Sequence, residues 1–588
     1  MTSLDLPQSE EAELSQAETN AGVARATSVL ALGNIASRVL GMAREVALTT
    51  LFGASRAVDA FYVATIIPKT IYDLLIAGHV NSAIIPVFSE LAAREGREAL
   101  WRLVSVLISL VSALLALLVL GLTAFAPQIV ALVGSGYEAA TLELASALLR
   151  ITAPALLFLG LFSVLSGALF ALRVFTWPAF AGAVFNACVV LITVLLTPPP
   201  QVMVTVGDGA AVWSAARPLW GIQSAALGWL AGSLVQFLLQ LPGLRGARLR
   251  LTLNWRHPAI PRIARLYAPV MASLILDTLV VRTFSYNLAS QTIEGALGYM
   301  NWATTLIQFP QGLVATAISI AILPTLARHA ALINPRKSGP LSTEAADGAA
   351  LGALRSSISA NERAFRDTLG LGLRLTTTLI LPAAVGLFVL ATPIVVLLFE
   401  RGAFTPADTV ITVTALRLYL FGLPFAALDL LLVYAFYARQ DTLTPALIGL
   451  FSLAIYMIVA LALLPAYGLF SLMIADSVKH IVHAVISALL LNRRMGGFGR
   501  QRLLSTASKT MIAAGFMGAV AFALQAPLSG LLGARGFVSE LLLVLSAGLV
   551  SAAVFLILAV ILRIEEPRWL WGLLYARLRL QPETRDES

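Results

Sequence analysis

Stretches of roughly 20 mostly apolar residues, the length a helix needs to cross a bilayer, recur along this chain almost from one end to the other. They fall near 27–51, 57–80, 100–125, 142–171, 177–197, 221–243, 261–290 and 297–326, then near 367–398, 407–437, 443–465, 468–492, 507–527 and 537–562. Fourteen such runs predict an all-α polytopic membrane protein, because in hydrocarbon a backbone must satisfy its own hydrogen bonds and a helix does so within one segment. Of the 588 residues, 59% are hydrophobic and only 12% are charged, against roughly 25% charged in a soluble domain. No soluble domain large enough for chemistry of its own is left over. The single cysteine, Cys188, excludes an internal disulfide framework and a cysteine-based metal site.

A formal charge of +9 raises the question of nucleic acid, and the positions of the basic residues answer it. An even number of spans puts both termini on one side, and Lys and Arg are expected in the loops there. The even-numbered connections and the C-terminal tail hold 27 of them, including the groups Arg245 to Arg265, Arg328 to Arg366 and Arg493 to Lys509. The opposite connections hold four, Arg56, Arg217, Arg401 and Arg535. This places both termini in the cytoplasm and accounts for the basic balance with no nucleic-acid partner. Residues 1–24 read as a polar, acidic tail without the apolar core of a cleavable signal peptide.

The chain also repeats itself. AIIPVFSELA (83–92) matches AILPTLARHA (321–330), FAPQIVAL (125–132) matches ATPIVVLL (391–398), and ALFALRVFTWPAF (168–180) matches YAFYARQDTLTPAL (434–447). The proline pairs Pro86 and Pro324, Pro127 and Pro393, and Pro178 and Pro445 occur in the same order in both copies. One polar loop near 331–365, present only in the second copy, accounts for the change in spacing. The predicted organisation is therefore a parallel repeat of two six-helix lobes, 25–245 and 246–495, followed by two further helices (496–563) and a basic tail (564–588).

Three motifs make a resemblance specific. SRVLGMAREVALTTLFGASRAVDAFYVA (37–64), LFERGAFTPAD (398–408) and FYARQDTLTP (436–445) resemble the MviN or MurJ-type lipid II flippases of the MOP exporter superfamily. The resemblance runs over roughly residues 25–495. It implies two lobes around a cavity that opens alternately to each side of the bacterial cell membrane and carries an undecaprenyl-diphosphate-linked glycan outward. It implies a transporter and not an enzyme, working as a monomer among membrane lipids, without a cofactor, a metal or catalytic residues; any coupling ion is left open.

Charges deep in spans are costly unless they line water or pair inside the bundle. Arg38, Arg44 and Glu45 lie in the first run, and Asp59, Lys69 and Asp73 in the second. A guanidinium is permanently charged and donates two parallel hydrogen bonds to a phosphate. The resemblance makes Arg38, Arg44 and Asp59 the positions important for flipping; the alternative is that Arg38 pairs with Glu45 or Asp59 only to hold helices together. This chain also departs from the family. Tyr72 and Asp73 stand where a basic pair is usual, Thr305 and Gln308 where an arginine and a glutamate are usual, and Leu430 where a lysine is common. Glu45, Tyr72, Asp73, Asp277, Arg282, Thr305 and Gln308 are accordingly candidate cavity-lining residues. Export of another polyprenyl-diphosphate-linked glycan or amphipathic solute, or a scaffold without transport, stays open beside lipid II. Asp476, His480 and His483 share one face of the twelfth run, where the spacing allows metal or proton ligands but favours a polar groove or ion-pair cluster.

Overall fold

In the computed structural model the described residues are 8–75, 79–197, 202–206, 209–213, 221–250, 252, 254–255, 257, 259–261, 280–333, 348–495, 497, 501–533 and 536–566. Among them helices dominate, with one short antiparallel hairpin, β1 (Val202–Val206) and β2 (Gly209–Trp213). Among the described residues, ten helices or helix runs are long and apolar enough to cross a membrane, and an eleventh is obtained if one bent pair counts as a single span. Large apolar side chains such as Leu117, Leu504, Phe522, Leu531 and Leu549 are exposed. An aqueous surface does not tolerate so many, and a lipid-facing one does.

The chain divides into two units. The first comprises residues 1–298 with the short segment 401–404, and the second 299–400 with 405–588. The first contains α1 (Gln8–Phe52), α2 (Arg56–Leu75), α3 (His79–Arg94), α4 (Gly96–Ala124), α5 (Ala126–Val133), α6 (Ala139–Thr152), α7 (Ala155–Ala171), α8 (Thr176–Leu196), α9 (Gln223–Leu238) and α10 (Val281–Ser290). Helix α11 (Ala296–Pro310) begins at the end of this unit and leads through a π-helical turn, Gln311–Thr316, into α12 (Ala317–Ile333). The second unit continues with α13 (Gly348–Val389), α14 (Ala391–Phe399), α15 (Pro406–Leu420), α16 (Leu423–Ala438), α17 (Leu443–Tyr467), α18 (Phe470–Arg494), α19 (Leu503–Leu532) and α20 (Phe537–Ile561).

The same succession of elements occurs twice. A long helix is broken and followed by a short one in α4–α5 and again in α13–α14. A span interrupted near its middle follows, α6–α7 and then α15–α16, the second bent by 41°. Proline at or next to each restart explains the breaks, since it has no amide to donate: Pro127, Pro154, Pro393 and Pro424. Arg173 and Gln440, which end α7 and α16, both have left-handed backbones at φ 60°.

Within the first unit, small residues let α1 and α8 touch along much of their length. A methyl group on Gly33 would lie 2.2 Å from the Ala179 carbonyl oxygen, and one on Gly182 2.6 Å from the Ser37 hydroxyl. Close backbone approach through small residues is how membrane helices gain packing when lipid offers no hydrophobic drive between them. It also brings α8 against the charged stretch of α1.

Candidate functional site

The polar centre of the first unit grows from α1. Arg44 donates from Nη1 to Oδ1 of Asn186 at 2.9 Å and from Nη2 to Oε1 of Glu45 at 2.6 Å, and its guanidinium lies 5.6 Å from the centre of the Trp229 ring. Asn186 is fixed in turn, its amide donating to the carbonyls of Ser37 and Gly182. Glu45 is buried and accepts at its other oxygen from the Tyr62 hydroxyl at 2.5 Å. Arg44 is thus held on three sides and keeps part of its surface open. Arg38, two turns earlier, is half-buried. The carboxylate of Glu45 is committed to Arg44 and Tyr62.

Helix α2 supplies the rest. Asp73 and Arg282 of α10 form an ion pair at 2.8 Å, with 27% and 35% of their side chains exposed. Lys69 is one turn before Asp73 on the same face. Its side chain is exposed although it lies in mid-helix, and the charged groups within electrostatic reach of it are Asp73, Arg282, Arg44 and Glu45. Among the described residues no hydrogen bond or ion pair is recorded for its ammonium. Tyr72 is half-buried beside it. Counted as ionised groups, Arg44, Lys69 and Arg282 against Glu45 and Asp73 leave one surplus positive charge, carried on side chains that are not fully buried. A diphosphate is the kind of group such a cluster attracts.

Asp59 does something different. It is fully buried, with Oδ2 accepting from the amide of Gly295 at 2.9 Å and Oδ1 from that of Leu297 at 3.1 Å. It caps the start of α11, where amides without helical partners and the positive end of the helix dipole favour an anion. Neighbouring contacts are of the same kind. The Arg56 amide donates to Glu294 at 3.1 Å, and the Ala403 amide donates to the Thr50 carbonyl at 2.9 Å. A methyl on Gly402 would lie 2.1 Å from that same carbonyl oxygen.

In the second unit, Thr305 turns its hydroxyl back onto the Asn301 carbonyl at 2.8 Å, and Gln308 is exposed two residues before Pro310 and the π-helical turn. Leu430 is half-buried on α16. Arg374 is engaged structurally, donating to Glu566 at 2.6 Å and to the Gln501 carbonyl at 2.9 Å. Asp277 lies outside the described residues. Asp476, His480 and His483 do form a cluster, with Lys479 donating to Asp476 at 2.5 Å and His483 paired with Asp429 of α16. No group of three or more metal-binding side chains is found among the described residues.

Sequence reasoning passed over two participants. Lys69 was visible as a charge in an apolar run but not as the exposed cation, since its environment depends on α1 and α10. Asn186, the first-named partner of Arg44, had one signal: it is the sole amide in the apolar run of α8.

Comparisons agree with this architecture. The family model described as lipid II flippase MurJ matches residues 48–545. A probable lipid II flippase MurJ of Haemophilus influenzae is 31% identical over 480 residues, covering 78% of this chain and 83% of its own length. The lipid II flippase MurJ of Burkholderia cenocepacia is 29% identical over 468 residues, covering 78% and 81%. Among solved structures, a lipid II flippase MurJ in an inward closed conformation aligns over 91% of this chain and 98% of its own, with a TM-score of 0.69 and 23% identity. An inward-facing multidrug resistance MATE family transporter of the MOP superfamily aligns over 79% and 96%, with a TM-score of 0.50 and 16% identity.

Proposed function

From the premise that the chain belongs to the MurJ lipid II flippase family, we infer a multi-pass transporter of the bacterial cell membrane that moves lipid II from the inner to the outer leaflet. It is a transporter and not an enzyme, and its substrate is a lipid-linked glycan. The barrier it lowers is physical: a sugar-diphosphate head is prohibitively costly in hydrocarbon, and a polar path lets the head cross while the polyprenyl tail stays in lipid. No bond breaks.

The observation that carries the finer reading is the surplus positive charge around Lys69. Arg44 and Lys69, with Arg282 behind them, are taken as the diphosphate ligands, Arg38 as a further cation on the same helix, and Asp59 as the residue that holds the rim of the path in register. Lys69 makes up for the basic pair that Tyr72 and Asp73 replace, being one turn away on the same face. Fourteen spans with both termini cytoplasmic, and action as a monomer, complete the reading. The charges at Thr305, Gln308 and Leu430 that the family carries and this chain lacks favour, as a second reading, a different polyprenyl-diphosphate-linked glycan.

The test is complementation of a strain depleted of its own flippase, paired with transport of labelled lipid II in proteoliposomes. The unaltered chain is expected to restore growth. Lys69→Ala is expected to lower transport about tenfold or more, the worth of one charge-assisted contact, with Lys69→Arg recovering most of it. Growth restored equally by Lys69→Ala and Arg44→Ala would reject these ligands, and failure of the unaltered chain to transport lipid II in liposomes would reject the substrate.

A further inference from the structure

The second unit holds five ionisable side chains in one intramembrane cluster that transport of a diphosphate does not require. Four belong to α18: Asp476, Lys479, His480 and His483. The fifth is Asp429 of α16, whose Oδ1 is 2.5 Å from Nδ1 of His483. Lys479 donates to Asp476 at 2.5 Å, and Nε2 of His480 is 3.7 Å from the other oxygen of the same carboxylate. None stands in open solvent: His483 and Asp429 expose 14% and 16% of their side chains, and His480 and Asp476 30% and 29%.

The helices packed on α18 add few charges. Helix α17 presents Tyr456, whose ring lies 5.6 Å from the Lys479 ammonium, and Gly449, where a methyl would be 3.7 Å from Nε2 of His483. Helix α16 presents Asp429, with Tyr434 and Tyr437 further along. Helix α15 meets α18 through the Ser477 hydroxyl, which donates to the Leu418 carbonyl at 2.7 Å; its Arg417 is occupied with the Phe388 carbonyl and ring. Beyond Ser487 the next charges on α18 are Arg493 and Arg494 at its end, the latter paired with Asp441.

The charge count is then simple. With both imidazoles neutral, two carboxylates and one ammonium leave the cluster at minus one. A single proton brings it to zero, and in a low-dielectric setting the neutral count is the favoured one. Imidazole is the side chain that gains or loses a proton near neutral pH. While Nδ1–H of His483 donates to Asp429, its Nε2 remains as the acceptor, on the side where Gly449 carries no side chain.

We propose that Asp429, Asp476, Lys479, His480 and His483 form a binding site for one proton, the coupling ion of the transport cycle. The proton adds to Nε2 of His483 with Asp429 as its counter-ion, and leaves by the same atom. This rests on the transport reading above, and it supplies what that reading lacks, a group that links the carrier to the proton gradient.

Two measurements test it. Nitrogen NMR of histidine-labelled, detergent-solubilised protein reads the five histidines directly and needs no substrate. Spectra taken from about pH 5 to 8 are expected to show His483 taking up one proton as the pH falls, and Asp429→Asn to weaken that uptake. In liposomes with equal pH on both sides, transport by the unaltered chain is expected to change about fivefold or more across the same range, and His483→Gln and Asp429→Asn to flatten the profile. Replacing sodium by choline is expected to change nothing. A His483 that keeps one protonation state throughout, a pH profile that both variants retain, or a requirement for sodium would each overturn the proposal. If the unaltered chain moves no lipid II at any pH while His483 titrates as expected, the substrate reading fails and the proton site stands.

Discussion

Asp59 spends both carboxylate oxygens on backbone amides at the start of α11, and this sets it apart from the other charges in the first two helices. Removing the carboxylate leaves two buried donors without acceptors, a cost of roughly 1–3 kcal/mol each. Asp59→Ala is therefore expected to lower both the melting temperature and lipid II transport. Asp59→Asn, which keeps one acceptor oxygen, is expected to fall between; equal melting of all three proteins would remove the cap from the argument. Lys69→Ala is expected to behave in the opposite way, losing transport with little loss of thermal stability, whereas Arg44→Ala, which leaves the buried Glu45 carboxylate without its counter-ion, is expected to lose both. The sequence made these residues conspicuous because each is a charge in an apolar run. Their partners were not legible, since Glu45 is adjacent to Arg44 but Asn186 lies 142 residues away and Gly295 lies 236 residues from Asp59. Only folding brings such pairs together, and the division of labour between a ligand and a cap is decided by the partner and not by the residue type.

At the level of elements, the repeat read from proline spacing reappears in detail that the sequence did not advertise. Arg173 and Gln440 are the left-handed ends of α7 and α16, each followed five residues later by Pro178 or Pro445. Neither is glycine, so no turn signal marked them, although a left-handed backbone costs an L-residue roughly 1–2 kcal/mol. Arg173→Gly and Gln440→Gly are each expected to raise the melting temperature, and Gln440→Val, branched at Cβ, to lower it. The turn after Gln440 has its own electrostatics. Burial pushes the Asp441 carboxyl up, but the hydroxyl and amide of Thr444 and the Arg494 guanidinium outweigh it and hold the group below the ordinary carboxylate range. A depressed carboxylate stabilises the fold above its unfolded value and loses that contribution as pH falls through the folded one. Asp441→Asn is thus expected to lower the melting temperature at about pH 7 and to make progressively less difference as the pH falls below the ordinary carboxylate range, a gap read by melting both proteins from that pH downward.

For the molecule as a whole, the apolar runs that fail as obvious spans are instructive. Of fourteen, ten recur as described helices that are long and apolar enough to cross a membrane, and the run at 407–437 is the bent pair α15–α16. The run at 261–290 lies largely outside the described residues. The remaining two are α1 and α2, which carry Arg38, Arg44, Glu45, Asp59, Lys69 and Asp73. Their charges dilute the hydropathy, because ionised groups are too costly to face lipid and must line a polar path or pair inside the bundle. The membrane potential acts on the same charges. An outward step that carries a diphosphate moves negative charge down an inside-negative potential, worth roughly 2.3 kcal/mol per charge per 100 mV if the whole field is crossed, or about 50-fold in the final distribution. Proteoliposomes with a potassium diffusion potential, negative on the side from which lipid II leaves, are therefore expected to transport faster and further than at zero potential, and to slow when the polarity is reversed. Rates indifferent to polarity would mean that a compensating positive charge travels outward with each lipid, and the cations around Lys69 would then have to move with their ligand instead of handing it across.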